Sequence, residues 1–87
     1  MRMQAISTND TFPSRDWVLI ATLSSLGFPI EAVEQDSQAR TIFHIQRSDS
    51  LDDVIQRFWR RELRVEPQEF NQHMKLVKAR MYDAKIF

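Results

Sequence analysis

The run IEAVEQDSQARTIFHIQ, Ile30 to Gln46, decides the fold class. It reads as a β-hairpin. Its second arm, RTIFHIQ, is β-branched and aromatic, the composition that a pleated, half-buried surface favours. Successive strand side chains alternate, so Phe43 and Ile45 face the core while Ile42 and His44 point the other way. The first arm, FPIEAVEQ, places Ile30, Ala32 and Val33 in an imperfect alternation. Between the arms, DSQA (Asp36 to Ala39) is a short polar link suited to a hairpin turn.

Helical patterns flank the hairpin. Upstream, DWVLIATLSSL runs from Asp16 to Leu26, and its apolar residues cover most of a helical circumference, which predicts a largely buried helix. Pro13 and Ser14 read as its start, with the Ser14 hydroxyl as cap and Asp16 complementing the dipole in the first turn. Gly27, the single glycine of the chain, falls where a left-handed C-terminal cap sits. Pro29 then keeps the helix from resuming.

Downstream, SDSLDDVIQRFWRRE is the clearest helix, read as spanning 51–62. Ser50 and Asp53 resemble a capping box. Leu51, Val54, Ile55 and Phe58 follow i, i+3, i+4, i+7 and form the apolar face. Asp53 and Arg57 pair at i, i+4 on the opposite side. LRV, Leu63 to Val65, is a short extended link or a third strand. Pro67 opens a last helix, with Phe70, His73, Met74, Val77, Met81 and Ala84 on one face and Lys75, Lys78 and Lys85 mostly off it. The order helix, β-hairpin, helix, short strand, helix predicts a small single-domain α+β protein over residues 11–87, after a polar tail at 1–10.

Composition narrows the function classes. At 87 residues there is room for one domain with a small core. The absence of cysteine excludes disulfides and thiolate chemistry and suits a reducing compartment. No apolar run is long enough to span a membrane, and the N-terminus has no signal-peptide core, so the expected location is the cytoplasm. Twelve basic residues balance twelve acidic ones, with a slight acidic excess over 1–44 and a slight basic excess over 45–87.

The patterns FPSRDWVLIATLSSLGF, IEAVEQDSQARTIFHI, LDDVIQRFW and LRVEPQEFNQHMKLVKARMYD together resemble a family of short proteins catalogued as a domain of unknown function. Its members occur mostly in bacteriophages and other mobile elements. The resemblance rests on Asp16, Gly27, Phe43, Phe58, Trp59, Val65, Phe70, Val77, Lys78, Met81 and Tyr82, and covers roughly residues 11–83. It implies the α+β fold and a mobile-element setting, and no activity. Members of the family often carry a glycine near Arg61, where RRELR stands here.

The chemistry-bearing residues form no enzyme constellation. His44 and His73 lie on different elements without metal-ligand spacing, and no metal site or cofactor is expected. No serine lies in a nucleophile elbow, and a single glycine leaves no phosphate-cradling loop. No catalytic residue and no small-molecule substrate is therefore assigned. The remaining signal is RFWRRELR, residues 57–64: Arg57, Arg60, Arg61 and Arg64 follow i, i+3, i+4, i+7 and share one face if the stretch is helical. These arginines could neutralise phosphates, since guanidinium forks suit bidentate contact. Trp59 and Tyr82 are aromatic anchors, and Lys78 adds a cation. The expected function is that of a non-enzymatic accessory protein whose partner is another copy or a larger nucleic-acid-handling protein. Direct nucleic-acid binding by the arginine stripe is the alternative. Ile86 and Phe87 cap the fold or engage a partner.

Overall fold

A computed structural model describes residues 11–86 and the side chains of residues 11–83. The tail assigned to residues 1–10 and the side-chain roles given to Ala84, Lys85, Ile86 and Phe87 lie outside the described residues. In chain order the elements are β1 (Thr11–Ser14), α1 (Trp17–Ser25), β2 (Ile30–Gln35), β3 (Thr41–Gln46), α2 (Asp49–Trp59) and α3 (Pro67–Ile86). The strands form one antiparallel sheet in the order β1-β3-β2. Among the described residues the fold is thus three helices and a three-stranded sheet, an α+β domain.

The hairpin is as expected, with Gln35 opposite Thr41 at its closed end. The imperfect alternation of β2 has a structural cause. Ile30 pairs with Ile45 and Ala32 with His44, so Glu31 is an extra residue, a β-bulge that resets the faces. At the turn, the Ala39 N–H donates to the Asp36 carbonyl at 3.0 Å and the Asp36 N–H to the Arg40 carbonyl at 2.9 Å. Ala39 closes this loop at φ 62°, a left-handed position that usually belongs to glycine.

Of the two readings of the LRV segment, the third strand fails and the link holds. Leu63–Val65 lies in an irregular link, and the third strand is Thr11–Ser14. Pro13 suggests a helix start in sequence, but an edge strand also tolerates proline, because only one of its sides must donate to the ladder. The first helix starts later than Ser14, at Trp17. Its cap is Asp16, whose carboxylate accepts the Val18 N–H at 3.0 Å and the Leu19 N–H at 3.2 Å. The Ser14 hydroxyl instead accepts the Asp16 N–H at 3.0 Å. The buried run of α1 is Leu19–Leu23, while Trp17, Val18 and Leu26 remain exposed, so the helix is less enclosed than its composition predicts.

Both other helices have polar caps. Ser48, two residues before the predicted Ser50, caps α2 by accepting the Leu51 N–H at 3.1 Å. Glu66 caps α3 by accepting the Glu69 N–H at 2.8 Å, with Pro67 as the first helical residue. The core draws on every helix and on β3. Leu19, Leu23, Phe43, Ile45, Leu51 and Val77 are at most 1% exposed. Helices therefore cover the Phe43 and Ile45 face of the sheet. Among the described residues no helix is long and apolar enough to cross a membrane.

Candidate functional site

The arginine-rich segment begins in α2 but does not stay in it. The helix ends at Trp59. The Arg61 N–H donates to the Phe58 carbonyl and the Glu62 N–H to the Arg57 carbonyl, each at 3.0 Å. This pair of bonds is a Schellman cap, which needs its pivot residue in the left-handed region. Arg61 is that pivot, at φ 61°. The expected helix over 51–62 is therefore too long, and the four arginines do not share one helical face. Only Arg57 is helical; Arg60 is the cap residue, Arg61 reverses the chain, and Arg64 sits on the link to α3.

The charges are also unequal. Arg57 pairs with Asp53 at 3.1 Å and Arg60 with Glu62 at 3.1 Å, both on exposed side chains. Arg61 and Arg64 have no ion-pair partner among the described residues. Trp59 is 59% exposed and meets Phe58 edge-on, with ring centroids 4.9 Å apart and planes at 83°. Phe58 packs against the core, so it holds the tryptophan at the surface from behind.

Beside them lies an open hollow of about 640 Å³. Asp16, Val18 and Thr22 of the α1 region form one wall, Phe58, Trp59 and Arg61 another, and Leu63 and Val65 the rim. Lys78 and Tyr82 are not among its lining residues. Tyr82 is exposed on α3, and Lys78 sits over the Trp17 ring at 6.0 Å from its centre. The structure thus gathers Trp59 and Arg61 at one hollow and leaves Lys78 and Tyr82 apart from it.

A second hollow, of about 330 Å³, lies outside the arginine-rich segment 57–64. Arg15, Trp17, Ala39, Arg40, Thr41 and Met81 line it. Asp16 and Val18 face the first hollow while Arg15 and Trp17 face this one, so the two flank the start of α1.

Both histidines are held by hydrogen bonds. His73 Nδ1 is 2.7 Å from Ser24 Oγ, which joins α3 to α1 and matches the expected core-edge role. His44, on the sheet face away from the helices, is buried with Nδ1 2.9 Å from Thr11 Oγ1 and Nε2 3.0 Å from Glu34 Oε1. Hydroxyl, imidazole and carboxylate in a row have the order of a catalytic triad. Thr11, the hydroxyl end of the row, is only 1% exposed, however. The row instead ties β1, β3 and β2 together across the sheet. No group of three or more potential metal ligands occurs among the described residues.

The fold and its surface define a small α+β domain whose distinctive features are hollows edged by exposed aromatics and arginines. The chain belongs to the family described as Domain of unknown function (DUF5659), whose model matches residues 9–83. Neither a curated protein nor a solved structure matches it.

Proposed function

We propose that this chain is a non-enzymatic adaptor that docks, through the Trp59 hollow, on a larger protein that handles nucleic acid. The observation that carries the reading is the exposed Trp59 beside an open hollow that also receives Arg61, a residue kept in a backbone conformation that disfavours side chains. Exposed tryptophan and arginine are the residue types that anchor protein interfaces. The segment that fits carries an apolar side chain for Val18, Trp59 and Leu63, and a carboxylate for Arg61 and Arg64. The family resemblance supports a phage or mobile-element setting, and the cysteine-free composition supports the cytoplasm.

The charge pattern favours a protein over a nucleic acid. Asp53 and Glu62 already occupy two of the four arginines, and Asp16 lines the hollow itself. A run of phosphates would meet those carboxylates. The direct nucleic-acid reading rests on Arg61, Arg64 and the exposed Trp59, which can stack on a base.

Selection of a random peptide library on the immobilised native protein tests the proposal. The expected peptides combine an apolar anchor with acidic residues and lose binding to Trp59→Ala and Arg61→Gly. Peptides that bind these variants as well as the native protein overturn it. Fluorescence polarisation with labelled DNA and RNA runs beside it; binding that weakens steeply with salt and fails in Arg61→Gln/Arg64→Gln transfers the function to the second reading.

A further inference from the structure

The hollow on the other side of the α1 start has the chemistry of an anion site. Arg15 and Arg40 enter it from two separate segments. One carboxylate holds both: Asp36 Oδ2 accepts Arg15 Nη1 at 3.2 Å and Arg40 Nε at 3.0 Å. Asp36 is itself fixed, since its Oδ1 accepts the Gln38 N–H at 2.8 Å and the Arg40 N–H at 3.0 Å. Each guanidinium has five N–H groups and gives one to Asp36, so most remain free for a ligand. None of the lining residues is acidic, and Lys78 adds a cation over the Trp17 ring. Asp36 offsets one of these three charges, and the site stays positive.

The second observation lies in the wall of the hollow. Thr41 lines it and is only 6% exposed, yet its hydroxyl has no hydrogen-bond partner among the described residues. The same holds for Nε2 of Gln35, its cross-strand partner. Buried polar groups left unpaired cost free energy, and native proteins seldom keep two together without use. Of the two, Thr41 lines the hollow, and a hydroxyl beside two guanidinium groups suits an oxyanion with several acceptor oxygens.

We infer that this hollow binds a phosphate group. Arg15 and Arg40 supply the charge, and guanidinium forks match phosphate oxygens in pairs. Thr41 donates from the buried side, and Trp17 is the apolar wall for whatever carries the phosphate. The site is independent of the Trp59 hollow. The phosphate belongs to a free phosphorylated small molecule or to a nucleic-acid backbone, and the two sources differ in their response to probes.

The experiment is a nuclear magnetic resonance titration of the native protein with inorganic phosphate, thymidine monophosphate and a short oligothymidylate. Saturable shifts centred on Arg15, Arg40 and Thr41 are expected with all three. Tighter binding of the mononucleotide assigns a free ligand; tighter binding of the oligonucleotide, weakening with salt, assigns a backbone. Thr41→Val keeps the side-chain shape and removes the hydroxyl. It is expected to weaken phosphate binding about tenfold while the unfolding midpoint stays or rises. Arg15→Gln/Arg40→Gln abolishes binding. The inference is overturned if none of the probes produces saturable shifts at these residues, or if Thr41→Val binds phosphate as tightly as the native protein.

Discussion

The ends of α1 and α2 are closed by the same device made from opposite materials. At α1 the Gly27 N–H donates to Ser24 at 3.1 Å and the Phe28 N–H to Leu23 at 3.0 Å. At α2 the Arg61 and Glu62 N–H groups make the equivalent bonds to Phe58 and Arg57. Position by position, buried Leu23 stands against exposed Arg57, and partly buried Phe28 against exposed Glu62. Gly27, at φ 101°, stands against Arg61 at φ 61°. The first end is sealed into the core and uses the one glycine of the chain. The second faces solvent and accepts a left-handed arginine at a cost of about 1–2 kcal/mol. A chain that bears that cost next to an exposed tryptophan places a side chain where a glycine would make a better cap.

The comparison can be broken most forcefully at the residue that accepts the last bond of each cap. Leu23→Ala is expected to lose about 2–5 kcal/mol in denaturant unfolding, because it empties a fully buried site. Arg57→Ala at the matching position of α2 is expected to stay within about 0.5 kcal/mol of the native protein. Similar losses at both ends would mean that α2 is sealed as firmly as α1. The pivots come next. A Cβ on Gly27 would meet nothing within 4 Å, so Gly27→Ala reports the backbone alone and should cost about 1–2 kcal/mol.

Arg61→Gly should do the reverse, raising stability by about 1 kcal/mol while weakening the peptide binding selected on the native hollow. A gain in stability with unchanged binding would make Arg61 a tolerated imperfection. The smallest effect concerns the hairpin turn, where Ala39 is a third left-handed pivot. The Arg40 backbone N–H, acting against desolvation, and then the Gln38 N–H and the Arg40 guanidinium, hold the Asp36 carboxylate below its ordinary 3.8. The stabilisation from Asp36 is thus complete above that ordinary value and is lost as pH falls through the lower folded one. Acid titration of the unfolding midpoint should show this limb in the native protein, and Asp36→Asn should lack it.

The sequence made some elements legible and concealed others for identifiable reasons. The hairpin, the apolar face of α2, the Gly27 cap and the Pro67 start were readable, because each follows from local pattern or backbone chemistry. The strand Thr11–Ser14 was not, since four residues around a proline carry no periodicity and pair only with β3, some thirty residues away. The arginine stripe was misjudged because its spacing presumes a helix; the one signal against it was the glycine that family members often carry near Arg61, the residue that turns left-handed here. The second hollow joins Arg15, Arg40 and Met81 from three parts of the chain, and no local motif links them.

Sequence by itself therefore determined the α+β class, the order of most elements and the candidate aromatic and basic residues, because propensity, capping and alternation act over a few neighbours. Tertiary structure alone decided which residues meet. It made Thr11–Ser14 a strand by giving it β3 to pair with. It broke the arginine stripe at the α2 cap, left Trp59 exposed beside Arg61, and enclosed the Thr41 hydroxyl near two arginines. Those outcomes depend on contacts between segments distant in sequence, where burial and chain reversal override local preference.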